Sequence, residues 1–301
     1  MNRKTVIIVT GPTASGKTSL AIDIALFFKT EIVSADSRQC FRELNIGVAK
    51  PHGQQLASVK HHFINSHSIY DEVNAAVFAE FAHHALNEIF RNHDVAVVAG
   101  GTGLYIKALT EGLDDIPEIP AQIRNEIRTA YNQHGIEWLK MQVSEQDPLY
   151  YSTGETDNPQ RMLRALEVKL ATGKSIRKFQ GGGSTGSKYN FIKYAIELPR
   201  AQLYAMINMR VDHMMQQGLE AEAGSLLPNR HLNALQTVGY SELFDYFDGK
   251  ISLPEAIDKI KQNTRNYAKR QLTWFRKDKE IRWIKDFAGI RDELRTLLQT
   301  S

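Results

Sequence analysis

The chain has 301 residues, 42% hydrophobic and 24% charged, with a formal net charge of +3. That balance suits a globular protein with one large or two modest cores. One cysteine, Cys40, excludes an intramolecular disulfide and a thiolate zinc cage. No apolar stretch approaches the roughly 18 residues of a membrane span, and the N-terminal apolar run at 5–9 is too short for a signal peptide. A cytoplasmic protein with no membrane partner is expected.

That first apolar run predicts a buried strand over 4–10. It leads into Gly11, Pro12, Thr13, Ala14, Ser15, Gly16, Lys17 and Thr18, the G-x-x-x-x-G-K-[ST] spacing of a phosphate-binding loop, and an apolar helical pattern over 16–29 follows it. Gly11 and Gly16 let the backbone curl so that successive N–H groups converge on an anion at a helix N-terminus. Lys17 caps terminal phosphate oxygens, and Thr18 offers a hydroxyl to Mg²⁺. The loop therefore predicts a di- or triphosphate ligand.

Further strands are expected at 31–35, 61–65 and 94–99, with helices over 74–92 and 103–110. Alternation of this kind predicts a parallel sheet with helices on both faces and ligands at the carboxyl ends of its strands. The turns at 34–39 and 100–103 then share one edge with the phosphate loop. A nucleotide hydrolase ends its second strand in a metal-holding Asp. Here 94–99 runs instead into Gly100, Gly101, Thr102 and Gly103, which argues against an ATPase motor or switch. Asp36 either points its carboxylate into the site or caps the next turn.

The turn-rich stretch 114–120 opens a region that reads as helical only, over 120–134, 136–144 and 159–172, and it closes on the glycine-rich linker 181–187. An all-helical insertion at 114–188 is expected, between core segments 1–113 and 189–301. Its basic residues, Arg124, Arg128, Arg161, Arg164, Lys169, Lys174, Arg177 and Lys178, read either as a solvated surface or as a face for an anionic polymer. A strand at 194–198 then returns, a helix runs from 200 to about 217 with Gly218 as its cap, and the longest helix covers 254–279. There Arg265, Lys269, Arg270 and Arg276 interleave with Tyr267, Trp274 and Phe275. Helical spacing assigns the aromatics mostly to core, with the basic side outward. The pairs His61–His62 and His83–His84 diverge along the backbone and make poor chelates.

Taken together, the phosphate loop, Asp36 to Gln39, Asn45 to Pro51, Gly100 to Tyr105, Asp157 to Arg161 with Arg164 to Glu167, Val238 to Tyr240, and Thr264 to Arg276 resemble the tRNA dimethylallyltransferases. The resemblance runs in order from about residue 5 to 285. Phe41 stands where that family often has Tyr, and Val48 interrupts its usual Gly-Thr-Ala-Lys-Pro. It implies an α/β fold, a P-loop parallel sheet flanked by helices, with an all-helical, tRNA-binding insertion and a helical C-terminal part. It also implies that the loop holds the diphosphate of dimethylallyl diphosphate, with Mg²⁺, and that the dimethylallyl group goes to N6 of the adenosine 3′ of the anticodon; a monomer is expected. By the same resemblance Asp36 is the general base, Thr102 contacts the reacting region, and Arg210 joins Lys17 on the diphosphate. The tRNA contacts it implies are Asp36, Ser37, Arg38, Gln39, Thr102, Arg124, Gln160, Arg161, Met162, Leu163, Arg164, Gln236, Thr237, Val238, Gly239, Tyr240 and Ser241. The rival readings are a P-loop nucleoside or nucleotide kinase, a prenyltransferase acting on free adenylate, and a non-catalytic RNA-binding protein.

Overall fold

A computed structural model describes residues 4–181 and 188–300 of the chain. All but the first residue of the expected linker 181–187 lies outside the described residues. The chain forms two compact units, Met1–Thr110 with Ser187–Ser301, and Glu111–Gly186.

The larger unit is built on six parallel strands: β1 (Thr5–Thr10), β2 (Ile32–Ser34), β3 (His61–His62), β4 (Val95–Ala99), β5 (Asn190–Ile196) and β6 (Ile281–Ile284). They lie in the order β3-β2-β4-β1-β5-β6. β1 is central, with Val6 opposite Ala96 on one side and Phe191 on the other. It is buried along its whole length, as a strand covered on both faces must be, and that is why it reads as an unbroken apolar run. Its side chains alternate between two cores. Val6 and Ile8 face one, Ile7 and Val9 the other.

Four helices precede the second unit: α1 (Lys17–Phe28), α2 (Gly53–Ser58), α3 (Ala75–Ile89) and α4 (Gly103–Glu111). Leu20, Ile24 and Ala25 of α1 bury the Ile7 face. Phe78, Ala82 and Leu86 of α3 bury the Val6 face. Asn74 starts α3 by accepting the N–H groups of Ala76 and Val77, which relieves two donors that the first turn leaves open.

The smaller unit holds α5 (Ala121–Gln146), α6 (Pro148–Thr153) and α7 (Pro159–Thr172). Gly135, at φ 76 and ψ −165, breaks α5 between the two helices that periodicity separates. Asn158 caps α7 with Pro159 in its first turn, and Gly173 ends it at φ 72. Leu139, Val143, Met162 and Leu166 form this unit's own core.

The chain then supplies α8 (Arg200–Gln216), α9 (Leu219–Leu226), α10 (Tyr240–Phe247), α11 (Leu253–Phe275) and α12 (Arg291–Thr300). Gly218 takes φ 98 between α8 and α9, closing the first and opening the second. The structure differs from the sequence expectations in several elements, and β5 runs from Asn190 to Ile196 instead of over 194–198. α11 stops at Phe275 instead of continuing to 279, and β6 follows it, unforeseen. Lys193 of β5, 5% exposed, is neutralised there by Asp278 and Glu280, each 2.8 Å away. β3 has two residues, because Phe63 and Asn65 take φ of 62 and 56 and leave the extended region. Among the described residues no helix is long and apolar enough to cross a membrane.

Candidate active site

The phosphate loop leaves the end of β1 through three left-handed residues, Gly11 (φ 134), Ala14 (φ 62) and Gly16 (φ 90). Gly16 is the N-cap of α1 and supplies no side-chain cap, so the first N–H groups of that helix remain open to an anion. Ser15 Oγ is buried without a hydrogen-bond partner among the described residues. Lys17 Nζ donates to the Pro12 carbonyl at 2.6 Å. A cavity of about 260 Å³ lies over the loop, lined by Ala14, Ser15, Gly16, Lys17, Thr18, Met206 and Arg210. Burial, and next the Arg210 guanidinium, pull the Lys17 ammonium down to about 7, while Asp36 opposes them. Arg210 is itself shifted down by burial against the same opposition from Asp36. Two desolvated cations with an open helix end make a site starved of negative charge.

A second cavity shares Lys17, Thr18 and Arg210 and adds Asp36, Gln39, Ala49, Gly100, Gly101, Tyr267 and Gln271. Asp36 follows β2, and its Oδ1 accepts the N–H groups of Arg38 (2.9 Å) and Gln39 (3.3 Å). Asp36 thus caps a turn and lines the cavity. Its Oδ2 makes no hydrogen bond among the described residues. Thr102 Oγ1 accepts from Ser37 N at 3.1 Å, and Thr102 N donates to Ala35 O at 3.2 Å, which locks the two turns together. The Tyr267 hydroxyl joins Thr102, and burial, with Asp36 the next cause, pushes its pKa up to about 12.

Close backbone contact explains the glycines between these turns. A Cβ on Gly100 would lie 2.1 Å from Ala35 O and 2.3 Å from its carbon, whereas a Cβ on Gly53 would meet nothing within 4 Å. Gly100→Ala should therefore lower the melting temperature strongly or block folding, while Gly53→Ala leaves it near wild type. Thermal melts of the two variants check this. Equal melting temperatures would contradict the packing.

Gln39 holds the next loop, donating to Val48 O (3.3 Å) and Ala49 O (3.1 Å). From the other side Glu222 of α9 accepts three consecutive N–H groups, Asn45, Ile46 and Gly47, and the Tyr240 hydroxyl at 2.6 Å. Tyr240 is fully buried, with its ring where a Cβ on Gly47 would fall. In the 236–241 segment, Gln236 and Ser241 are exposed, Thr237 and Val238 are half-buried, and Gly239 turns at φ 102.

In the smaller unit, Gln160 and Arg161 are exposed, and Arg124 and Arg164 are half-buried. Arg161 pairs with Glu155, and Arg164 lies 3.6 Å from Glu167, which Arg128 also approaches at 3.7 Å. The side chains of Met162 and Leu163 sit in that unit's core. Any partner contact from these two positions would have to use their backbone.

Sequence reading missed Gln271, Met206 and Glu222, and it placed Tyr267 mostly in the core. The buried stripe of α11 passes instead through Ile260, Ala268, Gln271 and Phe275, so Ala268 takes the core position and Tyr267, 36% exposed, faces the cavity. A glutamine falling on an apolar stripe was the available signal.

The glycine-rich loop after β1 and the Asp36 carboxylate thus open on shared space at the strand ends of an α/β fold. Comparison with known proteins narrows the class. The chain matches the IPP transferase family over residues 39–278. It is 49% identical to a tRNA dimethylallyltransferase of Christiangramia forsetii, covering 92% of each chain. It is 44% identical to that of Cytophaga hutchinsonii, over 93% of this chain and 92% of the relative. The crystal structure of a tRNA isopentenylpyrophosphate transferase from Bacillus halodurans superposes with a TM-score of 0.71 at 33% identity, covering 99% of this chain and 96% of that one. This chain belongs to the tRNA dimethylallyltransferase family of transferases.

Proposed function

We propose that this chain transfers the dimethylallyl group of dimethylallyl diphosphate to N6 of the adenosine 3′ of a tRNA anticodon and releases diphosphate. The observation that carries the reading is the shared lining: Asp36, with one carboxylate oxygen unengaged, faces the same cavity as the phosphate-loop residues Lys17 and Thr18 and as Arg210. An adenine amine is a poor nucleophile because its lone pair is delocalised into the ring. As the new C–N bond forms and the allylic C–O bond breaks, Asp36 Oδ2 accepts the amine proton. A positioned base of this kind is worth about 10²–10⁴-fold.

Negative charge grows on the departing diphosphate, where Lys17, Arg210 and the open N–H groups of α1 stabilise it without reorganising. The donor set also fits Mg²⁺. Thr18 lines both cavities, the Ser15 hydroxyl is buried with no partner among the described residues, and phosphate oxygens would complete the coordination. When bound, the ion would neutralise part of the diphosphate charge. The acceptor base must leave its stack to reach Asp36, which costs least in a single-stranded loop. The reading implies a cytoplasmic enzyme.

The two arginines of α7, Arg161 exposed and Arg164 half-buried, are assigned to tRNA phosphates. Among the described residues the Arg161 side chain is held by a surface ion pair with Glu155, and such pairs exchange readily. Arg161→Ala with Arg164→Ala should flatten the salt dependence of tRNA binding by roughly 0.7–0.9 log unit per lost contact. Turnover at saturating tRNA should hold. An unchanged slope with a lower melting temperature would assign both to Glu155 and Glu167 alone.

Competition tests the reading against its rivals. Dimethylallyl diphosphate should bind without being displaced by equimolar ATP, and labelled ATP should pass no phosphate to nucleosides or AMP. Phosphate transfer would establish the kinase reading in its place.

A further inference from the structure

Gln271 is 6% exposed on the otherwise apolar stripe of α11, and both ends of its carboxamide are engaged. Oε1 accepts the Thr13 N–H at 2.8 Å, and Nε2 donates to Gly101 O at 2.9 Å. Thr13 belongs to the phosphate loop, and Gly101 to the turn that presents Thr102. These segments are continuations of β1 and β4, which stay paired as far as Val9 opposite Ala99. Past that register Gly100 is still tied to β1, its N–H donating to Val9 O at 3.1 Å and its carbonyl accepting from Thr10 Oγ1 at 3.1 Å. Beyond Gly100 the two segments separate, and Gln271 spans them. The turn is shaped around the amide: a Cβ on Gly101 would lie 2.2 Å from Gln271 Nε2.

We infer that Gln271 is a positioning residue that sets the distance between the diphosphate loop and the Thr102 turn. It thereby aligns the leaving group with the acceptor amine. This rests on the prenyl-transfer reading of the same site. Displacement at an allylic carbon needs the amine and the departing oxygen roughly in line, and a misplacement of about 1 Å costs on the order of 10²-fold in rate. The Thr13 N–H is committed to Gln271 and is not offered to the anion. The residue therefore acts on alignment and leaves diphosphate affinity to Lys17, Arg210 and the other loop amides. An amide alone serves here. A carboxylate would accept from Thr13 but face Gly101 O without a proton, and methionine would fill the volume with neither bond.

Two variants and two readouts test this. Gln271→Met should lower the single-turnover transfer rate at saturating donor and tRNA by about 10²-fold, with the calorimetric Kd of inorganic pyrophosphate unchanged. Amide hydrogen exchange should quicken in peptides covering 11–16 and 100–104 and stay at wild-type values over α3. Gln271→Glu should free the 100–104 peptide while 11–16 stays protected. Wild-type transfer rates in Gln271→Met, or a loss seen only in pyrophosphate affinity, would overturn the inference. So would exchange that rises evenly across the chain, which marks a packing role. A wild-type protein that transfers nothing to tRNA refutes the prenyl-transfer reading instead, and the exchange data still decide whether Gln271 clamps the two segments.

Discussion

Asp36→Asn should lower the turnover of prenyl transfer by about 10²–10⁴-fold while tRNA affinity stays close to wild type. Asparagine keeps the Oδ1 acceptor that receives the Arg38 and Gln39 N–H groups, so the turn, and with it the Ser37–Thr102 bond, persists. What disappears is the capacity to take a proton. Asp36→Ala removes the turn bonds as well and should add a fall in melting temperature. Single-turnover rates and equilibrium tRNA binding on both variants separate the effects. A loss in Asp36→Asn confined to tRNA affinity would make Asp36 a recognition residue.

The second large effect falls on the leaving group. Lys17→Met and Arg210→Ala should each reduce transfer by about 10²–10³-fold, since each removes a preorganised charge aimed at the developing anion. Lys17 also carries a pH signature. Burial, then Arg210, lower its pKa from 10.5 to about 7 in the folded chain. Above neutral pH the free site holds this lysine largely unprotonated, and a bound diphosphate restores the ammonium. Binding should therefore take up a proton, and diphosphate affinity should weaken as pH rises through about 7. Calorimetry in buffers of different ionisation enthalpy measures the uptake directly. No uptake above neutrality would contradict the assignment.

The same shift has a stability consequence of known sign. Between about 7 and 10.5 the unfolded chain binds this proton more tightly than the folded one. Stability attributable to Lys17 therefore rises with pH across that window and is lowest below it. Lys17→Met should weaken diphosphate binding and raise the melting temperature at neutral pH. The site is held at a cost to the fold.

Much of this arrangement was legible because it is written in local chemistry. The apolar run into the glycine loop identifies β1 and α1, and Asn158, Pro159 and Gly173 bound α7 where periodicity places it. Gly135 separates two helical runs in the sequence and breaks α5 in the structure. What escaped detection is settled by distant partners. β6 is four residues long, includes Arg282, and becomes a strand only because β5 offers an edge. Gln271 meets backbone 258 and 170 residues away, and Glu222 meets a loop some 175 residues before it. Neither spacing leaves a periodic trace. On α11 the choice between Tyr267 and Ala268 for the core could not be made from spacing alone. It is resolved by the fully buried Ala268, which turns its neighbour toward the cavity.

The most direct test supplies the wild-type protein with Mg²⁺, labelled dimethylallyl diphosphate, unmodified tRNA and equimolar AMP, separates AMP from tRNA, digests the tRNA to nucleosides, and locates the label. The expected result is label on N6 of the adenosine immediately 3′ of the anticodon, with stoichiometric release of diphosphate and none on free AMP. Label on AMP in place of tRNA, or an unlabelled tRNA in the presence of intact donor, would contradict the proposed function.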